Sequence, residues 1–189
     1  MADITPTAGD YMRPFRSPWG NFPTRQMPLS TGISSNAIYI GSVVGLDSAT
    51  TNGQSQIVPS SLTSNTVVST QIVGVAAEGP ATTSPSSTNV AGTMIPVWEA
   101  NPNVEFKART RNGLLNSTLI GSYHTILWDS TLHIFLVNVG ASSATTPVSV
   151  VITEMIDNPG DSGGAVAFRF CPRDPTSSLS TANVLAFYK

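Results

Sequence analysis

The sequence predicts an all-β fold: a single β-barrel or sandwich domain over residues 36–189 with little helix, preceded by an extended N-terminal arm over residues 1–35. Three observations carry this expectation. Short β-branched runs are separated by turn residues at short intervals. No segment longer than ten residues keeps a helical period without proline or glycine, in a chain with 14 Pro and 15 Gly. From Val104 the residues alternate strictly, with Val104, Phe106 and Ala108 on one side and Glu105, Lys107, Arg109 and Arg111 on the other. That is the pattern of a half-buried strand with a charged, wet face.

The arm is defined by Pro6, Pro14, Pro18, Pro23 and Pro28, which exclude helix and central strand. It is not a bland linker. It carries Tyr11, Met12, Phe15, Trp19, Phe22 and Met27 together with Arg13, Arg16 and Arg25, and no acidic residue lies between Tyr11 and Asp47. An aromatic, locally basic, extended segment is expected to lie across another subunit. The alternative is that it wraps its own domain.

The first strand is expected over Ala37–Leu46, and Asn52-Gly53 is a turn signal. Gln71–Ala77 is a second strand, followed by a polar loop over residues 79–93. Asn101-Pro102 sets the start of the alternating strand, because the residue before proline avoids the helical region, and Asn112-Gly113 ends it. Leu119–Trp128 and Thr131–Val139 flank Asp129-Ser130 as a hairpin, the second strand apolar on both faces. Pro147–Met155 and Ala165–Phe170 are further strands around the Asn158-Pro159-Gly160 turn, and Val184–Tyr188 closes the chain.

Composition narrows the function. Charged residues make up 11 %, less than half the ~25 % usual in globular domains, and about a quarter of the chain is Ser plus Thr. Net charge is −2, which gives the whole chain no electrostatic case for nucleic acid. A single cysteine, Cys171, precludes an internal disulfide and fits a reducing compartment. The start has neither a basic nor an apolar segment of a secretory signal, and no run approaches a membrane helix.

Gly160-Asp161-Ser162-Gly163-Gly164 repeats the string around the nucleophile of chymotrypsin-like proteases. That chemistry needs a histidine base and a buried aspartate in the chain order His, Asp, Ser. The two histidines, His124 and His133, lie 38 and 29 residues before Ser162, where a whole barrel should intervene. The string therefore reads as a glycine turn before a strand. With a two-residue turn at Asp129-Ser130, the histidines would sit diagonally on one face, with no third metal ligand in register. Glu99 and Glu105 read as ion-pair partners of the nearby basic residues rather than as an acid–base pair. No catalytic residue, metal or cofactor is expected.

At these residues the chain resembles the capsid cement, or head decoration, proteins of tailed bacteriophages. The likeness runs through Arg13-Pro14-Phe15 and Asn21 to Ile38–Leu46, similar to the family's "IFxGDxVxL" strand. Asn52-Gly53 then turns toward Ile72–Val75, and Val97–Ala108 looks like the family's "VxxDDPxxxFExQ" element. Val150–Thr153, Asn158 and Gly163–Phe170 look like its "RIVGLxxxPDNxxG…VRF" ending. Ser42 stands where the family usually has Asp, Ala100-Asn101 replaces an acidic pair, and Glu105-Phe106 inverts the Phe-Glu order.

The resemblance implies a homotrimer at three-fold and quasi-three-fold positions on the capsid exterior. It would be made in the host cytoplasm, bind the major capsid protein and no membrane, and staple capsid subunits against packaged-DNA pressure. Contacts are expected at Arg13, Phe15, Arg16, Trp19, Phe22 and Arg25 of the arm and at Glu105, Lys107, Arg109 and Arg111 of the strand. The alternatives are a virion-surface adhesin or carbohydrate-binding module and, behind it, the serine protease.

Overall fold

The alternating stretch after Asn101-Pro102 is the hub of the computed structural model, which describes residues 2–29, 38–46, 57–59, 62–63, 66–67, 72–78, 94–140 and 150–171. In chain order the strands are β1 (Arg13–Arg16), β2 (Thr24–Pro28), β3 (Val43–Leu46), β4 (Ile57–Pro59), β5 (Leu62–Thr63), β6 (Thr66–Val67), β7 (Ile72–Ala76), β8 (Met94–Glu99), β9 (Glu105–Arg111), β10 (Tyr123–Asp129), β11 (Ile134–Asn138), β12 (Val150–Met155) and β13 (Ala165–Phe170). One turn of 3-10 helix, Ser117–Leu119, is the only helical segment among the described residues. The all-β expectation is met.

Five strands close into a barrel. β9 pairs antiparallel with β13, β13 with β12, β12 with β10 and β10 with β11. The ring is sealed by a parallel pairing of β11 with β9, at Val137↔Thr110 and Asn138↔Arg111. Alternation fills the inside: Phe106 from β9 meets Phe168 and Phe170 from β13, with ring centroids 5.1–6.2 Å apart. Ile126, Phe135, Val137, Val150, Ile152 and Val166 complete this core. The order of the three rings, two pairs edge-on and one stacked, is the geometry aromatic quadrupoles favour.

A second, five-stranded antiparallel sheet runs β2-β8-β7-β3-β4. Val43, Ile72 and Val75 join the barrel core, while Met27, Leu29, Ile38, Val44, Val73, Ile95 and Val97 form a second cluster. β7 is consequently buried throughout.

The structure corrects the start of the first strand and the register of the hairpin, and it adds strands within the arm and at Met94–Glu99. The arm does not stand apart in the described chain: β1 pairs with β9, β2 pairs with β8, and Met12, Met27 and Leu29 are buried. Its prolines are tolerated because β1 and β2 end their sheets among the described residues, and Pro14 adjoins a register irregularity. Within the described part, 38–46, of the strand expected over Ala37–Leu46, only Val43–Leu46 is strand. Gly41 adopts φ 81°, and Ser42 accepts the Tyr39 N–H through its Oγ at 2.9 Å, closing a turn. The hairpin register is Asp129↔Ile134, four residues from the one a two-residue turn would give. His133 sits in the turn at φ 54° rather than in the strand. β8, with Pro96 inside it, is an interior strand with no counterpart among the expected strands.

The Ala165–Phe170 strand, and the Pro147–Met155 strand as β12 from Val150, are where alternation put them. The Asn52-Gly53 turn, the loop over 79–93 and the strand over 184–188 lie outside the described residues.

Candidate functional site

β1, β9 and β13 lie side by side, and the faces they turn away from the barrel core carry their charged residues. Register sets the rows. Arg16 opposes Glu105, Arg13 opposes Lys107, and Lys107 opposes Ala167 on the other side. Phe15, the extra residue between the Pro14 and Arg16 pairings, packs its ring 4.6 Å from the Arg16 guanidinium and 5.9 Å from the Lys107 amine.

The face is not the open, wet one expected. Glu105 is 8 % exposed, bound by Arg169 Nη2 at 3.0 Å and with Arg16 Nη1 at 3.8 Å. Arg16 also pairs with Glu154 of β12. Arg109 donates from Nε to Asp10 Oδ1 at 3.0 Å and from Nη1 to Asp157 Oδ2 at 2.6 Å. Asp157 Oδ2 in turn accepts the Ala165 N–H at 3.0 Å. Arg111 pairs with Asp129, whose other oxygen receives the Thr131 and Leu132 N–H groups of the β10–β11 turn. Glu105, Arg109 and Arg111 are thus answered within the chain. Lys107 has no ion pair among the described residues.

The arm residues divide similarly. Arg25 pairs with Glu99 at 2.8 Å, and Phe22 packs against the barrel core. Trp19 is 56 % exposed, the most exposed of the large apolar side chains described. Arg13 is exposed, its guanidinium 5.8 Å from the Tyr11 ring. Asp10, Tyr11, Arg13, Lys107, Ala108, Arg109 and Ala165 line a cleft of about 120 Å³. Burial lowers the Lys107 amine, and repulsion from Arg13 and Arg109 adds to it, against a raising effect from Asp10 and Asp157.

Gly160–Gly164 clasps the start of the chain. Asp161, 4 % exposed, accepts the Ala2 N–H, and Ser162 exchanges backbone bonds with Ala2 and Ile4 at 3.0 and 2.9 Å. Gly163 has φ 68°, and a Cβ there would meet the Ile4 carbonyl oxygen at 2.1 Å. Both ring nitrogens of His124 are engaged elsewhere, Nδ1 with the Asn138 carbonyl at 2.9 Å and Nε2 with Ser122 Oγ at 2.7 Å. His133 stacks on Tyr39 at 4.6 Å. The two histidines therefore occupy different surroundings rather than one face. No group of three or more His, Cys, Asp or Glu able to hold a metal occurs among the described residues. Cys171 is buried at the end of β13.

Sequence reasoning missed Asp10, Glu154, Asp157 and Arg169. Alternation over Ala165–Phe170 already put Arg169 opposite the phenylalanines, so that residue was within reach. No local pattern marks the three acids. No protein-family model, curated protein or solved structure matches the chain.

Proposed function

We propose that this chain is a capsid cement protein. It seats as a homotrimer on the outside of an assembled phage head, at three-fold and quasi-three-fold positions, and bridges neighbouring major capsid subunits. The motif resemblance motivates this reading. The observation that best supports it is the exposed Trp19, which follows Phe15 and Arg16 in a segment held to the barrel by β1 and to the second sheet by β2. Aromatic and arginine side chains presented from a fixed backbone are what interface anchors require, since little ordering entropy is lost on docking. Buried apolar area at such a contact contributes roughly 25 cal/mol per Å² before association costs.

Sedimentation of the purified chain with DNA-filled heads tests this. The expected result is saturable binding at a copy number comparable to that of the capsid protein, reduced by Trp19→Ala. Absence from heads, or presence at a few copies per particle, refutes it. Deleting residues 1–30 is not a clean test, because it strips Met12, Met27 and Leu29 from the two cores.

A further inference from the structure

Arg13 and Lys107 face each other directly across the β1–β9 pairing. Like charges in that relation repel and destabilise the sheet. Every other described cation on this face has an acidic partner: Arg16 with Glu154, Arg169 with Glu105, Arg109 with Asp10 and Asp157. Arg13 and Lys107 have none among the described residues, and they line the same cleft of about 120 Å³, against the Tyr11 ring and with Asp10, whose carboxylate is paired with Arg109. A volume of that size admits a carboxylate with its attached methylenes, since a water molecule's share of the liquid is about 30 Å³. The repulsion is a standing cost that a single bound anion converts into two charge-assisted contacts.

We propose that the cleft between Arg13 and Lys107 is a docking site for the side-chain carboxylate of a second protein chain. The identity of that chain as a capsid subunit rests on the function proposed above; the anion site itself rests on the cross-strand pair.

The chain has two lysines, Lys107 and Lys189, so a lysine-selective 13Cε label gives one reporter and one internal control. The full chain is titrated with an acetylated hexaglutamate peptide at fixed ionic strength, and separately with inorganic phosphate. The expected result is a saturable shift at Lys107 with the peptide and not at Lys189. Arg13→Met weakens the peptide about tenfold, while Arg13→Lys retains binding. Uncomplexed Arg13→Met melts no lower than the parent, because one of two facing like charges is gone. Linear shifts shared by both lysines overturn the site. Saturation by phosphate at equal or higher affinity than the peptide overturns the protein carboxylate as its occupant. No particle enters this experiment, so its failure leaves capsid binding standing, and failure to bind heads leaves the cleft standing.

Discussion

The Asp161 carboxylate accepts the Ala2 N–H at 2.7 Å across 159 residues of sequence. This bond, with the two backbone bonds of Ser162, ties the beginning of the chain to the turn that launches β13. The Asp161→Ala variant leaves a part-buried donor without its acceptor and is expected to lose about 1–3 kcal/mol. Ser162→Ala keeps both backbone bonds and is expected to stay within about 0.5 kcal/mol of the parent. Urea unfolding measures both, and amide exchange at Ile4 should rise in the first variant alone. Equal effects at the two positions would count against the clasp.

Gly163→Ala tests the same contact sterically. The left-handed backbone costs an L-residue about 1–2 kcal/mol, and the collision with the Ile4 carbonyl adds to it. Destabilisation above about 2 kcal/mol, with faster proteolysis before Tyr11, is the expected outcome.

Arg109 links Asp10 and Asp157, none of the three side chains more than 29 % exposed. Replacing Arg109 by Met strands two carboxylates and is expected to cost about 1–3 kcal/mol at neutral pH. Burial alone would raise Asp10, but hydrogen bonds from the Thr7 N–H and hydroxyl and from Arg109 outweigh it and hold the group below 3.8. Its stabilisation is full above that value and is lost as pH falls through the lower folded one. Acid unfolding curves of Arg109→Met should therefore show a shallower loss below about pH 4 than the parent.

His124 responds in the same sense, in a higher pH window. Burial pushes its imidazole below 6.5, and the Asn138 carbonyl only partly offsets this. A carbonyl can only accept, so Nδ1 carries the proton; Nε2 lies 2.7 Å from Ser122 Oγ, whose hydroxyl donates to the Leu119 carbonyl. Between the lowered folded value and 6.5 the unfolded chain binds a proton that the folded chain does not. Stability thus rises with pH across that window, and the loss on acidification is complete below it. His124→Gln should flatten melting temperature against pH in this range; an unchanged slope would assign the effect elsewhere.

What the sequence revealed follows from the range of the forces involved. Alternation at Val104–Arg111 and Ala165–Phe170 is local, and both strands stand where it placed them, with Phe106, Phe168 and Phe170 inward. The parallel seam of β11 on β9 was not legible, because nothing near Val137 encodes which edge it meets. Proline misled in the arm. It hid β1 and β2, which sit at sheet ends. The charged face was read correctly as alternating but not as paired. Its partners come from far along the chain: Asp157 lies 48 residues from Arg109, and Glu154 lies 138 from Arg16.

The clasp of Ala2 by Asp161 also sets an order of events during synthesis. At about 5–20 residues per second, a ribosome adds the intervening 159 residues in roughly 8–30 s. Throughout that interval Ala2 and Ile4 lack their partners Asp161 and Ser162, and this segment cannot take its final place until the turn before β13 has emerged. The nascent chain therefore carries an apolar, basic segment that stays unsecured until Asp161 has emerged.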